Sequence, residues 1–224
     1  MRLRGHALLV AFAGSLVAAT PASRGEATTP AVPSRDVIVN TLSKFDAGPD
    51  LDIAALKQTV LEKSRSRSRK EPEPSKRPLV VPDIVGLPTF NFNIQFDIDT
   101  PIILPVSYEM VGRLADALVN APLLPYTFLI VGHSQSTGKR EANVILSQRR
   151  ADAVRDVLIN TFKISSKRLQ SLGLGEEQFI DQAHPASPVN QQIQVVTIGK
   201  LPEEPAAPAA VTSAARKSAK KKNK

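Results

Sequence analysis

FLIVGHSQSTGKREANVILSQRRADAVRDVL, residues 128–158, begins with an apolar run, Phe128 to Val131, that stops at Gly132. A polar loop, His133 to Gly138, follows. After it comes a long segment with helical period. Asn143, Ser147 and Arg150 are spaced i, i+4, i+7 in that segment, which stacks their side chains on one helical face. Leu146 and Val154 stand four residues either side of Arg150. An arginine inside an apolar stripe either snorkels to solvent or is held for a partner. The strand–loop–helix reads as a ligand pocket.

Working outward, Phe90, Phe92, Ile94, Phe96 and Ile98 alternate with polar residues, the period-two signature of a strand buried on one face. Thr100 to Pro105 is a turn region. From Val106, the set Met110, Leu114, Ala117, Leu118 and Ala121 follows the helical period, and Pro122 and Pro125 end that helix. Tyr126 to Val131 is a second strand. The long helix runs from about Lys139 to Phe162, with Ile145, Leu146, Ala153, Val154, Val157, Leu158 and Phe162 expected on its core side. Arg168 to Leu172 can form a third strand, Gly173 to Pro188 a long loop, and Ile193 to Ile198 a β-branched fourth strand. The order β-α-β-α-β-β implies an α+β domain over 89–200, a mixed sheet with helices on one face.

The flanks differ in composition. Arg2 and Arg4 precede an uncharged, mostly apolar Ala7 to Ala19, and Val17-Ala18-Ala19 ends it in small residues. Residues 1–19 therefore read as a secretory signal peptide, too short for a membrane span. Residues 20–88 read as a flexible basic linker with possible short helices. One covers Asp36 to Phe45; a second covers Asp50 to Lys63 and can be capped by Asp50 or Asp52. Neither has an obvious neighbour to pack on. Lys63 to Pro78, KSRSRSRKEPEPSKRP, has seven basic residues, three prolines and no large apolar residue, the composition of a solvated spacer. Residues 201–224 end in RKSAKKKNK, which reads as a disordered cationic tail.

The totals exclude several classes. The chain has no cysteine, so no disulfide, thiolate metal site, lipoprotein anchor or cysteine nucleophile is expected. His6, His133 and His184 are scattered, and no metal or cofactor is expected. Without Arg2 and Arg4, 27 basic residues face 21 acidic ones, a net charge of +6. In an exported protein this favours anionic envelope polymers over nucleic acid as partners of the basic segments. Thr20 to Pro88 lacks the successive alternating strands of an outer-membrane barrel, and no span is expected in the mature protein.

Two readings remain for the loop after the second strand. Gly132-His133-Ser134-Gln135-Ser136 nearly matches the G-x-S-x-G nucleophile elbow, with Ser136 in place of the last glycine. A hydrolase built on Ser134 would need Asp152, Asp156 or Asp181 together with His184. It would also need several strands upstream, where the folded part is short.

The second reading is a resemblance. Asn93 to Gly199 resembles the OmpA-like C-terminal domain, the peptidoglycan-associating module of bacterial envelopes. The residues that carry it are IQFDID with Leu104-Pro105 behind it, Gly132-His133 followed by Gly138, and Asn143, Leu146-Ser147 and Arg150-Ala151 at the spacing N-x-x-L-S-x-x-R-A. Arg168-Leu169, Gly173-x-Gly175-Glu176 and Asn190 follow in order. The resemblance implies a non-enzymatic module of the periplasm or outer membrane that binds the diaminopimelate-type stem peptide of peptidoglycan. It implies that Arg150 clamps a ligand carboxylate, a task suited to a planar, permanently charged fork. Asn143, Ser147, Ser134 and Gln135 complete the implied site. Two positions depart from the family. Its G-H-T-D is here Gly132-His133-Ser134-Gln135, so a glutamine replaces the aspartate expected to hold the ligand ammonium. Its N-R-R-V is here Asn190-Gln191-Gln192-Ile193. Weakened or altered binding, or an envelope scaffold that no longer binds peptidoglycan, are both compatible with those changes.

Overall fold

The structure is a computed structural model that describes residues 32–66 and 76–202. The expected signal peptide, the lead-in to residue 31, spacer residues 67–75 and tail residues 203–224 lie outside the described residues.

Four strands, β1 (Thr89–Phe92), β2 (Tyr126–His133), β3 (Leu169–Gly175) and β4 (Ile193–Lys200), form one mixed sheet in the order β1-β4-β2-β3. β2 and β3 are parallel, and β4 runs antiparallel to both β1 and β2. The central strand β2 is buried on both faces, which is why Phe128 to Val131 is a continuous apolar run rather than an alternation. Its even positions, Phe128 and Ile130, join a core with Phe92, Leu169 and Val195 under helices α1 (Arg35–Leu42), α3 (Tyr108–Leu118) and α4 (Arg140–Asn160). Its odd positions, Leu129 and Val131, join Leu172, Leu174 and Val196 against helix α2 (Ile53–Arg65) and the Val80–Ile84 segment. The expected mixed sheet is present, and α2 adds cover on its second face.

Helices α1 and α2 fall where the two short helices of 20–88 are expected, and what the structure adds is the surface they pack on. Asp52 caps α2, its carboxylate accepting from the Ala55 amide at 3.0 Å, and Ser34 caps α1. Both helices have neighbours. Ile38 and Leu42 are fully buried in the first core, and Val60 in the second; each such side chain contributes about 1.5–3 kcal/mol. Thr197 Oγ1 donates to the Leu42 carbonyl at 2.7 Å, which fastens the end of α1 to β4. The fold thus begins well before Phe90. An apolar stripe tells that a helix face will be covered but not by what, and the covering strands lie far along the chain.

Three local expectations change. The first strand ends at Phe92, where its pairing with Ile193 of β4 ends, and Ile98 is 84% exposed. The helix expected from Val106 starts at Tyr108, after a short 3₁₀ turn. On α4, Val154 and Leu158 are buried as expected, but Ile145 is more than a third exposed, Leu146 and Ala153 are only half-buried, and Phe162, also more than a third exposed, lies beyond the helix end at Asn160. The buried face instead carries Asn143, Val144, Ser147, Arg150 and Ala151. Polar residues occupy the inner stripe, so apolar periodicity alone places that face wrongly.

The reason α4 sits so close is glycine. A Cβ on Gly132 would lie 2.2 Å from the Ser147 carbonyl oxygen, and one on Gly173 would lie 2.3 Å from the Gln148 amide. Gly173 to Gly175, expected in a loop, are the end of β3, and the missing side chains of Gly173 and Gly175 admit the helix backbone.

Candidate ligand-binding cleft

β2 ends in a register shift between Gly132 and His133, which turns the chain into the β2–α4 loop. His133 is buried and held through Nδ1. Nδ1–H donates to the Gln178 carbonyl at 2.8 Å, and Nε2 lies 3.3 Å from the Gln194 side-chain oxygen. Burial moves its pKa below the ordinary histidine value, so the ring is a neutral brace at pH 7. The Ser134 amide donates to the Gly175 carbonyl, and the Ser136 amide to that of Pro185. The Ser134 hydroxyl is buried without a hydrogen-bond partner.

The start of α4 is pinned by a buried ionic cluster that sequence reading missed. Arg140 forks onto Glu177, with Nε 2.7 Å from Oε1, and Arg77 Nη1 stands 3.3 Å from Glu176 Oε1. Both glutamate side chains are 1% exposed. Buried carboxylates persist only when paired and hydrogen-bonded. Glu176 meets that condition further by accepting from Asn143 Nδ2 at 2.6 Å and from the Thr137 amide at 3.3 Å. Arg77 and Glu176 are 99 residues apart; the available signal was Glu176-Glu177 placed directly after a strand glycine.

Arg150 closes the other side. Its Nε donates to the Thr100 carbonyl at 3.0 Å, and Nη2 approaches that of Asp97 at 3.5 Å. Its guanidinium lies over the Phe96 ring, 5.0 Å from the centroid. Burial lowers its pKa from the usual arginine value, and nearby Asp99 opposes that shift. A guanidinium carries more N–H donors than these two acceptors use.

Between the 96–100 turn, the β2–α4 loop and α4 lies a cleft of about 700 Å³. Arg150, Asn143, Ser134 and Gln135 line it together, with Phe96, Asp99, Lys139 and Arg149. Ser147 does not join them. It is fully buried, gives its hydroxyl proton to the Val144 carbonyl at 2.9 Å and accepts from the Gly175 amide at 2.8 Å. It fastens α4 to β3 rather than facing a ligand. Asn143 faces the cleft with its amide committed to Glu176 and its oxygen accepting from Thr137 Oγ1 at 2.9 Å. A smaller groove of about 390 Å³ lies between Asn93–Phe96 and Pro188–Gln192, and Gln191 borders both.

The elbow reading finds no base at Ser134. His184 is 76% exposed in its side chain and bonds Asp181 at 2.9 Å, an interaction that holds the Asp181 carboxyl below the ordinary carboxylate range. Asp152 accepts from Ser171 and Gln148, and Asp156 lies against Arg155.

Residues 95–194 match the family model described as the OmpA family. The chain is 33% identical over 97 residues to outer membrane porin F of Pseudomonas aeruginosa, covering 43% of this chain and 27% of the relative. It is 33% identical over 85 residues to the peptidoglycan-associated lipoprotein of Brucella melitensis, covering 38% and 49%. The chain thus spans about half of the second relative's length and about a quarter of the first's. The crystal structure of the peptidoglycan-associated lipoprotein from Burkholderia pseudomallei aligns over 56% of this chain and 99% of that one, at 22% identity and a TM-score of 0.38.

Proposed function

Because residues 95–194 are an OmpA family domain, we propose that this chain is an exported, non-enzymatic module of the cell envelope. It holds peptidoglycan noncovalently by the diaminopimelate end of the stem peptide. One of its relatives is by name peptidoglycan-associated. The observation that carries the reading is the cleft itself. A 7%-exposed arginine, an unpartnered buried serine hydroxyl and two further cations, Lys139 and Arg149, surround one hollow. A desolvated guanidinium with donors to spare suits a carboxylate, and the orphaned hydroxyl of Ser134 gains a partner when a polar ligand enters. Ser147 has no part in the contact.

A second reading has its own observation. Arg150 already braces the 97–100 turn through two carbonyls, and Gln135 is uncharged. On that reading the domain is an envelope scaffold for another protein, and Arg150 is structural. Sedimentation with intact sacculi separates the two. Attraction through the basic segments at 63–78 and 203–224 is electrostatic and weakens steeply as salt rises, because the screening length is about 8 Å at 0.15 M. A contact inside the cleft is screened far less. We expect a salt-resistant bound fraction that Arg150→Ala removes and that deletion of residues 203–224 leaves intact. Binding that is lost entirely on deleting those residues and is indifferent to Arg150→Ala favours the scaffold.

A further inference from the structure

We infer that Asp99 receives the ligand's ammonium group, so that the carboxylate missing at Gln135 is supplied from a different loop of the same cleft. The inference rests on the cleft reading above and names a specificity residue within it.

Among the described residues that line the cleft, Asp99 carries the one carboxylate, against Lys139, Arg149 and Arg150. An ammonium entering beside three cations is repelled unless an anion meets it. The nearby acids of the β3 end are committed, since Glu176 and Glu177 are buried in ion pairs with Arg77 and Arg140. Gln135 offers only a neutral amide oxygen.

Asp99 is also held in place. The Thr100 amide donates to the Asp97 carbonyl at 3.1 Å, and the Ile102 amide to Thr100 Oγ1 at 3.2 Å, making a tight turn. Asp99 takes φ of +54° in it, a left-handed conformation that aspartate and asparagine adopt more readily than other side-chain-bearing residues. Arg150 binds the turn from α4 through the Thr100 carbonyl. The arginine that would grip a ligand carboxylate therefore also positions the turn that carries Asp99. The pairing suits a ligand bearing a carboxylate and an ammonium on one carbon, and the cation surplus suits a ligand with a further negative charge.

The test is calorimetric titration of the full chain with two synthetic stem tripeptides ending in diaminopimelate. One has its side-chain amine free, and the other has it acetylated. Asp99→Asn keeps the left-handed turn and removes the charge. It should weaken binding of the free-amine tripeptide about ten- to thirtyfold, the difference between a charge-assisted and a neutral hydrogen bond. It should leave the acetylated one unchanged, and adding Gln135→Asp should restore the loss. If Asp99→Asn binds both tripeptides like the wild type, or weakens both equally, while Arg150→Ala still abolishes binding, the assignment of Asp99 is wrong and the cleft stands. If the wild type binds neither tripeptide, the cleft reading falls and the assignment with it.

Discussion

Replacing Arg140 by alanine and, in a separate variant, Arg65 by alanine sets burial against distance. Arg65 Nε lies 2.7 Å from Glu141 Oε1, and Arg140 Nε lies 2.7 Å from Glu177 Oε1. The first pair is 56% and 43% exposed; the second is 14% and 1% exposed. Water screens the first pair and competes for both partners, so its loss should cost about 0.2–1 kcal/mol. The second removal strands a buried carboxylate. Arg77, 4.0 Å from Glu177, would then face two glutamates with one guanidinium. The expected cost is about 3–5 kcal/mol, a fall in Tm of roughly 6–20 °C for a protein of this size. Urea denaturation followed by circular dichroism measures both variants, and the double variant Arg140→Met/Glu177→Leu should recover most of the loss. Equal costs for the two alanine variants, or a cost below about 1 kcal/mol for Arg140→Ala, would refute the argument that desolvation decides.

Two further outcomes follow from the structure. Leu42→Ala should destabilise the protein by about 2–5 kcal/mol, because Leu42, the last residue of α1, is fully buried against the sheet core, whereas an α1 that merely hung from a linker would show almost no change; the same denaturation assay reads it. His133 stays neutral in the folded state below the pH, near 6.5, at which the unfolded chain's imidazole takes up its proton. The unfolded state then binds more protons, so stability should fall as pH drops below about 6.5, by up to about 1.4 kcal/mol per pH unit, and be flat just above it; His133→Gln should flatten that acid slope.

The frame of this fold was legible because it rests on local signals. The apolar run of β2, the glycine stop and the long helix gave the βαβ unit, and the β-branched run at residues 193–198 gave its central neighbour. The site was half legible. Arg150 stood out as a charge within an apolar stripe, and the structure does bury it beside Gln135, Asn143 and Ser134. Ser147 shares the helical spacing but does not reach the cleft, since a hydroxyl on an inner face serves a backbone amide as readily as a ligand, and only the approach of Gly175 decides. Ile98 kept the alternation of its strand after the partner strand had ended. The Arg77–Glu176 pair and the seating of α1 and α2 join distant parts of the chain, which no local period encodes.

The claim that the cleft is a ligand site is tested most directly by locating the ligand. A two-dimensional NMR titration of the protein with the free-amine stem tripeptide should move the amides of Asp99, Thr100, Ser134, Gln135 and Thr137 and the Nε–H of Arg150 together, on one binding isotherm. Shifts confined to the groove formed by Asn93–Phe96 and Val189–Gln192, or no shifts at millimolar-range saturation (about 1–10 mM), would contradict it.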